Sequence, residues 1–400
     1  MMGTAEWKLA KLNELGFVGR GKSRHRPRDA AFLYGGRYPF FQTGDIKAAS
    51  FHLTEYSQTY SEEGLAQSKL WKPGTLCITI AANIADSAIL GIEGCFPDSV
   101  VGFIADPDKA DVRFIKYSVD TLKVRMQNIS RGATQDNLSL DKLLTFDFSV
   151  PPVPMQRRIA GVLAAYDDLI ENSQRRVQIL EAMARALYRE WFVEFRFPGY
   201  EKLPRVDSPL GVIPKNWEVK TLGQICENFD RLRRPLSKME RAEKQGEYPY
   251  YGAAKVFDYI NDFIFDGEYL LMAEDGSVIT TERHPVLQLV NEKFWPNNHT
   301  HVLVGKPPYS THFLYLGLSE VDISPYITGA AQPKITQENM NRIPFFCAPK
   351  ELNQQFDRLV APMIRQTQSL QRQIQNLRRT RDMLLPRLLS GQIALTEIAA

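Results

Sequence analysis

The sequence predicts an α+β fold. Two mainly-β globular domains are expected, separated by two long helices that pack as an antiparallel coiled coil, with a pseudo-two-fold internal repeat relating the halves. Three observations lead to this prediction. Short motifs recur in order along the chain, two stretches share a heptad pattern, and the remaining segments contain short apolar runs separated by turn residues.

The internal repeat is carried by four pairs of segments. Two pairs are separated by 210 residues: "WKLAKL" from Trp7 with "WEVKTL" from Trp217, and "YPFF" from Tyr38 with "YPYY" from Tyr248. Two further pairs are separated by 197 residues: "GATQDNLS" from Gly132 with "GAAQPKIT" from Gly329, and the segments that end at Pro152 and Pro349. Two constant offsets with one shift between them indicate two related modules whose middle parts differ in length.

The long helices are predicted from apolar positions spaced four and three residues apart, the pattern of helices that wrap around one another. Neither helix can bury its apolar stripe alone, so the other copy is the expected partner. A helix of roughly 36 residues would be about 54 Å long. The predicted seam residues are Ile159, Leu163, Tyr166, Ile170, Val177, Leu180, Leu187, Phe356, Val360, Met363, Leu370, Ile374, Leu377 and Leu384.

The β modules are predicted from short runs such as "TLCITI", "VVGFIA", "EYLLMA" and "HPVLQLV", broken by Gly, Pro, Asn and Asp. The stretch from Arg196 to Trp217 is interpreted as the linker into the second module. The predicted segments are residues 1–150 (first globular domain), 151–198 (central long helix), 199–350 (linker and second globular domain) and 351–400 (distal long helix).

Composition excludes some classes of protein and leaves others open. With 44% hydrophobic and 24% charged residues the chain is expected to be a globular cytoplasmic protein, and its polar start and interrupted apolar runs predict neither a signal peptide nor a membrane span. The four cysteines are widely spaced and are interpreted as reduced thiols. Because the net charge is only +3, the positions of the basic residues must decide whether nucleic acid is a partner.

The segment "GFVGRGKS", Gly16 to Ser23, fits the spacing of a Walker A phosphate loop and also an F-x-G-x-G cofactor loop of methyltransferases. A phosphate loop needs a buried strand before it and a helix directly after it. Here the preceding residues are charged and favour a helix, and Pro27 falls where the following helix would begin. The methyltransferase interpretation would use "KPPYS" from Lys306, but an ammonium group cannot accept the hydrogen bond that this motif requires. No catalytic residue, cofactor or metal ligand is therefore predicted.

Both modules share a loop near their start that is dense in arginine and lysine beside aromatic residues, a composition suited to contacts with phosphates and guanine edges. A basic loop that only increases solubility is the alternative. The candidate DNA-binding residues are Arg20, Lys22, Arg24, Arg26 and Arg28 in the first loop, and Arg231, Arg233, Arg234 and Lys238 in the second. Gln135, Gln332 and Lys334, in the repeated segments at the module edges, are further candidates.

Three stretches resemble the specificity subunits of type I restriction–modification systems. They are the run from "PPVPMQRRIAGVLAAYDDL" to "LGVIPKNWEVKTLGQI", the distal "NLRRTRDMLLPRLLSGQI", and "GATQDNLSL". The resemblance covers nearly the whole chain in the expected order. It implies two target-recognition domains that each read half of a bipartite DNA sequence, and helices that space them and dock two methyltransferase subunits. A nuclease/translocase subunit would join for cleavage, and catalysis would belong to these partners. A coiled-coil adaptor that binds proteins through its globular domains is the alternative.

Overall fold

The computed structural model describes residues 7–131, 138–329 and 332–393. The chain divides into two compact units: unit 1 comprises Met1–Arg175 with Gln371–Ala400, and unit 2 comprises Arg176–Leu370. Among the described residues, no helix combines the length and apolar character needed to cross a membrane. The four cysteines are buried free thiols, as predicted.

Unit 1 is built around a five-stranded sheet with the order β2-β8-β6-β7-β4, accompanied by the two-stranded pairs β1–β9 and β3–β5. Its strands are β1 (Lys8–Ala10), β2 (Gly16–Arg20), β3 (Tyr34–Phe40), β4 (His52–Leu53), β5 (Gln58–Tyr60), β6 (Leu76–Thr79), β7 (Ser87–Leu90), β8 (Val100–Ala105) and β9 (Phe148–Val150). Its helices are α1 (Leu12–Leu15), α2 (Thr43–Ala48), α3 (Glu62–Ala66), α4 (Val112–Arg131), α5 (Leu140–Leu143), the first part of α6 (Val153–Tyr188) and the last part of α11 (Lys350–Leu389).

The core of unit 1 lies between the sheet and α4. Strands β6 and β7 are buried along their whole length, which explains why their sequences do not alternate between apolar and charged residues. Leu76, Ile78 and Phe103 of the sheet belong to the same buried cluster as Phe114 and Ile115 of α4. The apolar face of α4 therefore covers one side of the sheet.

The segment that mimics a phosphate loop is a strand. Residues Gly16–Arg20 form β2, which pairs antiparallel with β8. A Cβ atom on Gly16 would lie 2.2 Å from the Ile104 carbonyl oxygen, and one on Gly21 would lie 2.3 Å from the Phe96 carbonyl oxygen. These glycines thus permit close approach of neighbouring backbone, and no helix follows them to bind phosphate.

Unit 2 repeats this organisation around a six-stranded sheet with the order β13-β18-β16-β17-β14-β15. Its strands are β10 (Arg205–Ser208), β11 (Gly211–Pro214), β12 (Glu218–Thr221), β13 (Cys226–Asn228), β14 (Gln245–Tyr251), β15 (Val256–Ile260), β16 (Phe265–Ala273), β17 (Leu287–Pro296), β18 (Thr300–Gly305) and β19 (Pro344–Cys347). Its helices are the last part of α6, α7 (Leu222–Ile225), α8 (Lys238–Glu243), α9 (Thr311–Leu318), α10 (Gln337–Asn341) and the first part of α11.

The strand pairings confirm the internal repeat. The order β2-β8-β6-β7 of unit 1 matches β13-β18-β16-β17 of unit 2. In the small pair β1–β9, Lys8 lies opposite Val150, and in β12–β19, Glu218 lies opposite Cys347. These two pairs of residues are related by the sequence offsets of 210 and 197. The predicted α+β class is confirmed as well.

The two long helices contribute to both units. In unit 1, Ile159 and Leu163 of α6 share a buried cluster with Leu388 near the end of α11. In unit 2, Tyr188 and the residues after α6 share a cluster with Phe356 and Val360 near the start of α11. The beginning of each helix thus accompanies the end of the other, which is the antiparallel arrangement predicted.

The predicted seam follows the buried stripe of both helices. Its buried members are Ile159, Leu163, Ile170, Phe356, Val360, Leu370 and Ile374. Its half-buried members are Tyr166, Val177, Leu180, Leu187, Met363, Leu377 and Leu384. Between Leu163 and Ile170 the buried positions include the charged residue Asp167.

Candidate nucleic-acid interface

The first basic loop follows β2 and is held by hydrogen bonds to neighbouring elements. The side-chain oxygen Oε1 of Gln67 accepts from the backbone N–H groups of Arg24 (2.5 Å) and His25 (3.0 Å). The hydroxyl of Ser68 donates to the Lys22 carbonyl (2.7 Å), and the Lys22 N–H donates to the Phe96 carbonyl (3.1 Å). The loop backbone is therefore fixed, and the direction of its basic side chains is set by the fold.

The predicted residues of this loop fall into two groups. Arg20 donates to the Asp98 carbonyl, Arg28 forms an ion pair of 3.0 Å with the Asp98 carboxylate, and Arg26 donates to the carbonyls of Ser23 and His25. Lys22 and Arg24 are exposed and form no ion pair with any described residue. Lys22 and Arg24 thus retain their full donor capacity for an external anion.

A lysine that the sequence analysis missed lies near Lys22. The Lys69 ammonium is 3.6 Å from the centre of the Trp71 ring and 4.7 Å from that of Phe17, whose side chain is 53% exposed. The pKa of Lys69 is lowered mainly by burial against these rings and to a lesser extent by the positive charge of Lys22. Lys22, Arg24, Lys69 and Phe17 are called patch 1 below. Its combination of cations with an exposed ring suits a nucleic-acid surface.

The second basic loop lies between β13 and α8. Arg231, Arg234 and Lys238 are exposed and form no ion pair within the described part of the chain. The carbonyl of Arg234 accepts a hydrogen bond of 2.6 Å from the Trp295 indole, which fixes this part of the loop to the sheet. Arg231, Arg234 and Lys238 are called patch 2 below.

Arg233 has different surroundings. Its side chain is 14% exposed, and its guanidinium lies 2.6 Å from the Glu274 carboxylate and 3.5 Å from that of Asp230. It also donates to the carbonyls of Asn298 and Thr300. The donors of Arg233 are thus occupied inside unit 2, which argues against a direct DNA contact and for a role in positioning the loop.

Glu274 joins the two segments of unit 2 that the sequence singled out. Lys334 forms an ion pair of 3.1 Å with the same carboxylate that binds Arg233. Thr328 and Lys334 form a β-bridge, and Gln332, between them in sequence, is exposed. Burial alone would raise the pKa of Glu274, but the surrounding Arg233, His301 and Lys334 lower it. Gln135, the corresponding candidate of the first module, lies outside the described residues.

Asp230, Glu274 and His301 place ligand atoms within 4.8 Å of one another, a spacing that would suit a metal ion. The Arg233 guanidinium supplies positive charge to both carboxylates here. His301 uses both ring nitrogens, Nδ1 toward Asp230 at 2.6 Å and Nε2 toward the Ile335 carbonyl at 3.0 Å. Burial opposes ionisation of Asp230, but the hydrogen bond and charge of His301 lower its pKa. The cluster is thus neutralised by side chains of the chain itself.

Comparison with known proteins decides the family. A family model described as the type I restriction modification DNA specificity domain matches residues 4–182 and 214–379, so that each of the two repeated modules is matched once. The chain belongs to this family. The segments "GFVGRGKS" and "KPPYS" accordingly occur in DNA specificity domains.

Individual relatives agree with this assignment. Over 98% of its length the chain is 25% identical to the type I restriction enzyme MjaIX specificity subunit of Methanocaldococcus jannaschii, of which the match covers 95%. It is 34% identical to a putative type I restriction enzyme specificity subunit of Haemophilus influenzae over 33% of each chain. Its fold resembles the crystal structure of a type I restriction–modification S subunit from M. genitalium, with a TM-score of 0.68, 15% identity and 97% of each chain covered.

Proposed function

We propose that this chain recognises a bipartite DNA sequence and directs modification and restriction subunits to it. Each module would read one half of the target. The observation that carries the proposal is that both halves of the chain match the DNA specificity domain. Each half also presents exposed cations in the loop after the first strand of its large sheet, β2 in unit 1 and β13 in unit 2. Because the two loops differ in sequence, the two half-sites are expected to differ.

Phosphate contacts and base contacts would have separate roles. Exposed lysines and arginines such as Lys22 and Arg231 give affinity and salt dependence when they contact phosphates. Sequence discrimination needs contacts to base edges, for which an arginine that can bind guanine with two hydrogen bonds is well suited. Arg24 and Arg234 are the arginines of the two patches whose positions next to the fixed loop backbone favour such a role.

The long helices are the proposed docking surface for two methyltransferase subunits, and catalysis would belong to these and to the restriction/translocase subunits. Ile179 and Met183 of α6 are 52% and 48% exposed and lie four residues apart, so they share one face of the helix. Large apolar side chains exposed together are typical of protein interfaces. Ile179→Glu is expected to reduce copurification of the methyltransferase subunits and to leave the helix intact.

The experiment that tests the proposal measures DNA binding by the complex with its methyltransferase subunits. Lys22→Glu with Arg24→Glu should weaken binding at least tenfold and reduce the slope of log affinity against log salt by about 2. Lys8→Glu with Lys142→Glu, which changes one lysine of β1 and one of α5, is the control of equal charge change. Equal binding by both double variants and the unaltered complex would refute the assignment of patch 1 and favour the protein-binding adaptor.

A further inference from the structure

Unit 2 contains a polar cavity beside patch 2. Its volume is about 370 Å³, and it lies between β13, the residue that follows β18, and helix α10. Its polar lining is Glu227, Asn228, Arg231, Lys306, Gln337 and Asn341. Two cations, one carboxylate and three amides thus face a common space, which gives the lining a positive charge and several hydrogen-bond donors.

Asn228 has an amide nitrogen without a partner. Its Oδ1 accepts a hydrogen bond of 2.8 Å from the Asp230 backbone N–H, which fixes the orientation of the amide and makes Nδ2 the donor. Nδ2 is buried and has no hydrogen-bond partner among the described residues. Buried donors in folded proteins are almost always paired, and Asn228 is one of the residues that line the cavity, so a ligand there could supply the missing acceptor.

The two cations of the lining are available to such an acceptor. Lys306 uses one donor in a hydrogen bond of 3.4 Å to the Gly223 carbonyl, and an ammonium group has two more. Arg231 is exposed and forms no ion pair with any described residue. Glu227 is exposed and lies beside them as the acidic member of the lining.

Comparison of the two units shows that the lysine of this cavity is particular to the second. The backbone N–H of Lys306 donates to the Ile225 carbonyl at 2.8 Å, and that of Asp106 donates to the Leu15 carbonyl at 3.0 Å. Ile225 and Leu15 end the equivalent helices α7 and α1, so positions 306 and 106 correspond. An acidic residue, engaged with the Asp108 N–H and with Lys109, therefore stands in unit 1 where unit 2 has a lysine.

We infer that this cavity binds one phosphate of the DNA backbone beside the half-site read by the second module, with Lys306 and Arg231 neutralising its charge and Asn228 donating to an oxygen. The inference rests on the proposed function, which supplies the DNA. A phosphate contact of this kind fixes the position of the duplex and adds affinity without reading sequence. It also makes the phosphate contacts of the two modules unequal.

The test combines single neutral methylphosphonate substitutions along the target with the variant Lys306→Gln in the complex with the methyltransferase subunits. At one phosphate near the second half-site, substitution should weaken the unaltered complex about tenfold, as expected for one charge-assisted contact. The Lys306→Gln complex should bind unsubstituted DNA about tenfold more weakly and be much less sensitive to substitution at that phosphate, where only Arg231 would still supply a charge. Its salt slope should fall by about 1, with the recognised sequence unchanged.

Matched variants separate the site from general effects. Lys306→Arg should restore sensitivity at the same phosphate, Arg231→Gln should reduce it there, and Lys202→Gln, at an exposed lysine of unit 2, should leave it unchanged. An unaltered pattern of phosphate sensitivity in Lys306→Gln would overturn the inference. The inference would also be overturned if inorganic phosphate raised the melting temperature of the full chain in a Lys306-dependent way while the sensitivity to methylphosphonate substitution did not change. Free phosphate would then be the ligand. If the unaltered complex did not bind DNA at all, the proposed function would be refuted as well.

Discussion

The buried carboxylate of Asp167 gives the sharpest prediction about what holds unit 1 together. This side chain is 3% exposed on α6, accepts a hydrogen bond of 2.5 Å from the Tyr117 hydroxyl of α4, and forms an ion pair with Arg381 of α11. Arg381 is 23% exposed and also contacts Asp382. Three helices thus meet at one negative charge.

The two partners of the ion pair are expected to respond unequally to substitution. Arg381→Met leaves the Asp167 charge buried with only the tyrosine hydroxyl, which should cost about 3–5 kcal/mol. Asp167→Asn leaves Arg381 able to turn toward solvent and Asp382, so it should cost about 1–2 kcal/mol. Asp167→Leu combined with Arg381→Leu removes both charges together with their desolvation cost and should be less harmful than Arg381→Met alone.

Hydrogen exchange measured by mass spectrometry is the appropriate assay, because a protein with two compact units need not unfold in a single transition. In Arg381→Met, amides of α4 and of the first half of α6 should exchange at least about 100-fold faster, whereas those of the unit 2 sheet should be unchanged. If Asp167→Asn accelerated exchange as much as Arg381→Met, or if the double leucine variant were the worst, the argument from an unpaired buried charge would be refuted.

Three further predictions concern unit 2 and the long helices. Burial opposes the charge of His312, but its hydrogen bonds to Asp357 and Glu268 raise its pKa to about 9. The stabilisation that the charged imidazole gives to unit 2 is therefore complete below the ordinary pKa of 6.5 and is lost as the pH rises through 9. Deprotonation of His312 should lower the stability of unit 2 by about 3 kcal/mol. Hydrogen exchange in unit 2 should therefore accelerate between pH 7 and 10 after correction for intrinsic rates, and the change should be smaller in His312→Gln. Arg233→Ala should lower the free energy of unfolding of unit 2 by about 3 kcal/mol, because it leaves largely buried carboxylates without their main partner. Arg231→Ala should weaken DNA binding and leave this free energy unchanged. Removing one matched heptad from both long helices should change the gap between the half-sites but neither half-site, as read from methylated sequences, and an unchanged gap would contradict the spacing role.

The repeat allowed much of the fold to be predicted, because residues with equivalent neighbours keep similar types. The offsets of 210 and 197 correspond to one two-stranded pair in each unit, β1–β9 and β12–β19. The seam spacing followed the stripe that the long helices bury. Local patterns were less informative where pairing overrides them. Lys8–Ala10 lies in a charged segment that favours a helix, yet it is a strand because it pairs with β9.

The segment interpreted as a linker is also more ordered than its composition suggests. Residues 205–214 form the β10–β11 hairpin, and Trp217 packs against Phe195 and Phe197. Prolines and charges mark this stretch as irregular in sequence. Its order comes from contacts among aromatic residues that are about 20 positions apart, which local patterns do not reveal.

The sequence identifies the two basic loops but not the surroundings of their individual side chains. Composition identifies a basic loop, whereas the fold decides which arginine meets a carboxylate. Arg233 finds Glu274, 41 residues away in sequence, and Arg231 finds no acidic partner among the described residues. Lys69 was missed because it lies outside both loops and joins patch 1 only through the packing of Trp71 and Phe17. Distant pairings of this kind leave no local signal.

We propose above all that this chain recognises two separate DNA half-sites and directs a methyltransferase to them. The most direct test is to express the chain with its methyltransferase subunits in a host that lacks the system and to map N6-methyladenine across the genome. Methylation at one split motif, absent when this chain is omitted, is the predicted result. Assembly of the complex without new methylation, or methylation at a motif that does not depend on this chain, would contradict the claim.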